Sequence, residues 1–223
     1  MRKPTSDERR KVGEAVHAAE AGTSGEIVTI IAERSDAYHD VGLHYAVLAA
    51  LLMPLFFAAW PGLLISLVDR VSGGWGGTGA RDLMLIAFVT MTLAFLGVRY
   101  GLAYMPLRLW LTPKATRRRR VRRRAIDLFK VGTEARTAGR TGILIYLSLG
   151  ERMAEIVADE AIHAVVADDE WGAAMAAMIV EVREGRTADG MIAAVSRVGT
   201  LLAQHLPRAD DDVNELPDRL IEL

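Results

Sequence analysis

The chain has 223 residues, 51% of them hydrophobic and 25% charged, with a formal net charge of −1. It holds no cysteine, which excludes a disulfide framework, cysteine-based zinc sites and thiol catalysis. The averages conceal a partition: residues 41–68 carry no Asp, Glu, Lys or Arg over 28 positions, residues 83–98 carry none over 16, and residues 106–124 carry nine Lys+Arg and no acid, against nine Lys+Arg and 18 Asp+Glu in residues 125–223.

The start, Met1 to Glu8, is charged, so no secretory signal is expected there. Thr5 to Ala21 reads as a helix. Thr5 with Glu8 fits a capping box, Val12, Ala15, Val16 and Ala19 follow helical spacing, and Gly22 ends the run. Glu26 to Ala32 is β-branched and almost wholly apolar, the pattern of a strand buried on both faces. Val41 to Trp60 is long enough as a helix to span a bilayer; Pro54 should kink it and Pro61 end it. Gly62 to Val68 reads as a short interfacial piece, followed by a Gly-rich connection within 69–82. A second span opens at Leu83 and is expected to continue to about Met105. Aromatic belts are expected from Trp60 and Trp75 on one side and from Tyr100, Tyr104 and Trp110 on the other.

Thr112-Pro113 resembles an N-cap followed by proline at the first helical position, with a basic helix behind it. Val121, Ala125, Leu128 and Phe129 form its apolar stripe. Gly142 to Leu149 reads as a second buried strand and Arg152 to Asp159 as a third, antiparallel to it, with Gly150-Glu151 as the turn. Two helices follow, one capped by Asp168 or Asp169 and ended by Gly185, the other capped by Thr187. The segment 207–223 reads as an acidic tail, with Asp210 to Glu215 a solvated loop.

Two buried core helices would need a larger covering layer than the rest of the chain can supply while it also covers a sheet. The apolar runs therefore read as a transmembrane hairpin, residues 41–111. The positive-inside rule puts the basic segment 112–124 in the cytoplasm, and two spans return the N-terminus to that side. Residues 1–40 and 125–206 then complete one cytoplasmic domain, interrupted by the hairpin.

Ser24-Gly25-Glu26-Ile27-Val28, then Arg140-Thr141-Gly142 to Ser148, then Glu151 to Ile156 resemble the TPM domain family, also called TPM phosphatase-like. That family shows a T-G-x-E-I/V-V first strand, a later N/T-G-I/V-L strand ending in Ser, and then a charged turn and an x-x-x-E-I strand. Glu184-Gly185-Arg186 to Gly190-Met191-Ile192 resembles its G-x-Y/F-x-x-G element. The hairpin resembles that of a bacterial membrane subgroup. The resemblance implies an α/β fold, an α/β/α sandwich around a small mixed sheet. It also implies one of three activities: acid phosphatase, divalent-cation binding (Ca2+ above all), or partner binding at membrane complexes. After the third strand the family has a glycine-rich turn and then an L/I-x-D; this chain has Ala158-Asp159-Glu160-Ala161-Ile162, without the glycines, and then Val166-Ala167-Asp168, which keeps the aspartate.

Hard cations take several oxygen ligands, and the carboxylates near strand ends are Glu33, Asp36, Asp159, Glu160, Asp168 and Asp169. The favoured reading is a helix cap at Asp168/Asp169 and surface charge elsewhere; the competing reading is a Ca2+ or Mg2+ site from Asp159, Glu160, Asp168 and Asp169. Asp210-x-Asp212-x-Asn214 lacks the glycine and the closing glutamate of an EF-hand, and Gly74-x-Gly76-x-x-Gly79 lacks the strand–turn–helix context of a dinucleotide site. No His-Glu-x-x-His or P-loop is present. Arg117, Arg118, Arg119, Arg120, Arg122, Arg123 and Arg124 follow a span directly, which favours anionic lipid headgroups over nucleic acid. The expectation is an inner-membrane protein with both termini cytoplasmic, whose domain binds or scaffolds a protein partner, with dependence on Ca2+ or Mg2+ tied to that competing site. The alternative is a metal-assisted phosphate-ester hydrolase with Asp159 and Asp168 as ligands.

Overall fold

The computed structural model describes residues 2–71, 73, 79–134, 141–209 and 216–223. The chain divides into two compact units, one of Met1–Asp36 with Lys114–Leu223, the other Ala37–Pro113.

The first unit opens with helix α1 (Ser6–Glu20). Its capping box is present: Glu8 N–H donates to the Thr5 hydroxyl at 3.3 Å, and Thr5 N–H donates to the Glu8 carboxylate at 2.7 Å. Arg2 also pairs with that carboxylate, and these partners hold the Glu8 carboxyl down to about 2. Thr5→Ala is expected to cost about 1 kcal/mol in denaturant unfolding, with Thr5→Ser near wild type.

Strands β1 (Glu26–Ala32) and β2 (Gly142–Ser148) lie parallel, with Glu26 opposite Gly142 and Ala32 opposite Ser148. Every residue of both is buried, as their largely apolar runs predict. Strand β3 (Met153–Ala158) returns antiparallel to β2, and β4 (Leu220–Glu222) pairs parallel to β1 at Thr29–Ile31. The sheet order is β3-β2-β1-β4, so β3 is an edge. The end of the chain, read as an acidic tail, thus contributes a strand. Residues 210–215, expected as a solvated loop, lie outside the described residues, as do Trp75 and most of the Gly-rich connection.

Helices cover both faces. Alternate residues of the strands, Ile27, Ile31, Ile143, Ile145 and Leu147, pack with α1, α8 (Asp168–Arg183) and α9 (Thr187–His205). The other set, Val28, Ile30, Leu144 and Tyr146, packs with Val121, Ala125 and Phe129 of α6 (Lys114–Phe129). This is the expected α/β/α sandwich around a mixed sheet. α1 and α9 approach closely at Gly199, where a Cβ would stand 2.6 Å from Ala19 Cβ. The short α7 (Glu160–His163) follows β3. The helix caps differ from expectation. Ala167 precedes α8, with its N–H donating to Glu170 at 3.3 Å, so Asp168 is the first helical residue and not the cap. Thr187 is likewise the first residue of α9, and its hydroxyl donates to Arg2 O at 3.3 Å.

The second unit holds α2 (His39–Ala59), α3 (Pro61–Val71), α4 (Ala80–Gly101) and α5 (Met105–Leu111). α2 runs continuously through Pro54, and Pro61 starts α3. The second apolar helix stops at Gly101 and does not continue to Met105, because α5 begins there, with proline in its first turn. Thr112, expected as a cap, ends α5 by donating its hydroxyl to Arg108 O at 2.8 Å. Arg108, counted with the basic band in the sequence, is 3% exposed. Its guanidinium donates to Leu102 O at 2.7 Å, at the C-terminal end of α4 where carbonyls are left open, and to Ala37 O at 2.6 Å, just before α2. α2 and α4 are both long and apolar enough to cross a membrane. None of the residues of α4 is buried, and Phe88 and Leu93 are 65% and 62% exposed.

Candidate functional site

Ligands in open α/β sheets bind beyond the carboxyl ends of parallel strands. Here β1 ends into Glu33-Arg34-Ser35-Asp36, and β2 ends into Leu149-Gly150-Glu151-Arg152. Arg152 takes a left-handed backbone (φ 55°), which folds the chain tightly into β3. The turn presses Glu151 back on the strand ends, and it is only 3% exposed. Ser35 N–H donates to one carboxylate oxygen at 3.0 Å, and the buried Ser148 hydroxyl donates to the other. The Ser35 hydroxyl meets the Tyr146 hydroxyl at 3.0 Å. Burial raises the Tyr146 phenol above its ordinary value, opposed by its bond to Ser35. Alongside, Arg120 donates to Asp36 at 2.7 Å. The sequence offered Gly150-Glu151 only as a turn; the serine closing β2 and the glutamate behind it were the available signal.

This cluster binds its own groups. With both Glu151 oxygens accepting hydrogen bonds, it orders the segment where the chain leaves the first unit. It does not present a reacting carboxylate.

The described carboxylates near strand ends lie at both ends of the sheet. Glu33 and Asp36 follow the carboxyl end of β1. Asp159 sits at the opposite end of the sheet, buried, where it accepts Gly142 N–H at 3.1 Å, and Glu160 is exposed on α7. The side chains of Asp168 and Asp169 lie outside those described. Among the described residues, no group of three or more histidines and carboxylates is arranged to hold a metal ion.

The seven arginines do not share one face of α6, because an α-helix turns about 100° per residue. Arg118 and Arg122 flank β3, with Arg118 4.0 Å from Glu155, whose carboxyl burial raises and these arginines lower. Arg120 and Arg124 lie on the other flank, toward Asp36 and Tyr146. The Arg117 Nε is buried with no hydrogen-bond partner. Arg119 and Arg123 are exposed, on the helix face away from Val121 and Ala125.

No curated protein matches the chain. Among solved structures it is similar to the NMR structure of the BA42 protein from the psychrophilic bacterium Bizionia argentinensis. The TM-score is 0.57 at 18% identity, covering 100% of this chain and 97% of that one, a likeness of fold. The TPM domain family model matches residues 110–201, which hold α6, β2, β3 and much of the helical layer. Over residues 110–201, then, the chain matches the TPM domain.

Proposed function

We propose that this is an integral membrane protein of the bacterial inner membrane, in which α2 and α4 cross the bilayer as a two-span hairpin. Its TPM domain stands on the cytoplasmic side, with both termini, and docks a protein partner at the membrane surface. The observation that carries the reading is α4: 22 residues, about 33 Å as a helix, with no residue buried. An apolar helix that packs on one side against α2 and has no residue buried is stable in hydrocarbon and costly in water. The basic segment at the start of α6 supports the orientation by the positive-inside rule. Its outward arginines, Arg119 and Arg123, suit anionic headgroups. Neither a Ca2+ or Mg2+ requirement nor the hydrolase alternative is carried into the proposal: Asp159 accepts Gly142 N–H, and the side chains of Asp168 and Asp169 lie outside those described.

The test is fractionation of the full chain with topology reporters. It is expected in the membrane fraction, resistant to carbonate, and monodisperse only with detergent. A reporter active only in the periplasm should work when fused at Gly76. Monodispersity in plain buffer, or activity of a cytoplasm-only reporter at Gly76, would overturn the proposal.

A further inference from the structure

The edge strand β3 lies in a groove of about 650 Å³ with two unlike walls. Arg118, Arg122 and Ile126, one turn apart on α6, form the first. Trp171, Met175 and Ile179, on one face of α8, form the second. Arg152 and His163 also line it, and Glu155 is the one carboxylate among its lining residues. Among the described residues, β2 is the only strand paired with β3. The strand's own side chains follow the same division: Met153 and Val157 pack on the α6 side, Ala154 and Ile156 on the α8 side.

An extended segment added to this edge would continue the alternation, because successive side chains of a strand point to opposite faces. One set would meet the arginines and the other the tryptophan and the aliphatic wall. We propose that the groove binds an extended protein segment in which acidic and apolar residues alternate, held by strand addition to β3. The excess of arginine over Glu155 selects acidic side chains on one face, and Trp171, Met175 and Ile179 select apolar ones on the other. This rests on the docking role proposed above and names the partner's chemistry.

The experiment uses the full chain in detergent micelles and a fluorescein-labelled heptapeptide DVEIDVE, followed by anisotropy. The alternating peptide should bind at least about tenfold more tightly than a block peptide of the same composition, DEDEVIV. Arg118→Glu with Arg122→Glu should weaken binding about tenfold or more. The charge-matched pair Arg119→Glu with Arg123→Glu, on the outward face, should leave it within about twofold. Since alternate amides of a strand face alternate edges, N-methylation of either the acidic or the apolar set should abolish binding, and methylation of the other set should spare it. Equal binding of alternating and block peptides overturns the proposal. So does an unchanged affinity in the Arg118/Arg122 variant, or the same result from both methylated peptides. A DNA oligonucleotide or anionic vesicle that displaces the peptide through Arg118 and Arg122, or dimerisation through β3, also overturns it. Failure here with membrane fractionation intact removes the groove and leaves the membrane assignment standing.

Discussion

Glu151→Ala is expected to destabilise the folded chain by about 2–4 kcal/mol, the cost of leaving buried polar groups without partners. The Ser148 hydroxyl, fully buried, and Ser35 N–H both donate to this carboxylate. Truncation strands both donors and opens a void at the turn. Glu151→Gln keeps the volume and one carbonyl oxygen, and the Ser148 hydroxyl can rotate to accept from the new amide, so its cost should be about 1 kcal/mol. Glu160→Ala, exposed on α7, is the control and should stay within about 0.5 kcal/mol. Denaturant unfolding in detergent micelles measures all three. A Glu151→Ala variant as stable as the control would show that the carboxylate holds nothing in place. Because Ser35 is tied to this group, the same variant should be cut faster by protease between Glu33 and Asp36.

The three longer strands of the sheet were legible because each writes its burial into its composition. β1 and β2 are apolar along most of their length, and β3 mixes Glu155 with Ile156 and Val157, as a half-buried edge would. β4 was illegible: Leu220-Ile221-Glu222 is too short for a period, and it becomes a strand only by pairing with Thr29–Ile31, almost two hundred positions earlier. The apolar helices were legible in length but not in their ends. The break after Gly101 depends on Arg108 reaching back to Leu102 O, a tertiary bond that local spacing does not announce. The candidate site was read least well. The chain order of Asp36 and Asp159 says nothing about which end of a sheet each reaches; that follows from β1 lying parallel to β2 and β3 antiparallel to it. Likewise a glutamate in a turn reads as solvated unless the turn is known to fold it onto Ser148.

Stability is also expected to fall as pH rises from about 4.5 to about 8, through Glu20. This side chain, at the end of α1, accepts Ile27 N–H at 2.7 Å, and its second oxygen is buried without a hydrogen-bond partner. Burial pushes its carboxyl up to about 8; the Ile27 bond opposes the shift, and Asp218 and Glu26 add to it. The folded chain therefore keeps a proton that the unfolded chain releases near 4.5. Between those values the folded state binds more protons, so unfolding free energy declines with pH: the contribution is fully present below 4.5 and is lost as pH passes 8. Glu20 is partly exposed, so solvent screening reduces the effect to about 1–2 kcal/mol. Glu20→Gln keeps the acceptor for Ile27 and offers an amide to Asp218 without a charge. It should flatten this part of the profile and be more stable than wild type at pH 8. His17 also faces Asp218, at 2.8 Å, so the comparison is repeated in a His17→Gln background to isolate the carboxyl. Melting temperatures at several pH values between 5 and 8.5 are the measurement. Parallel profiles for the two chains would mean that Glu20 ionises freely in the fold, and that the buried proton between α1 and the approach to β4 does not exist.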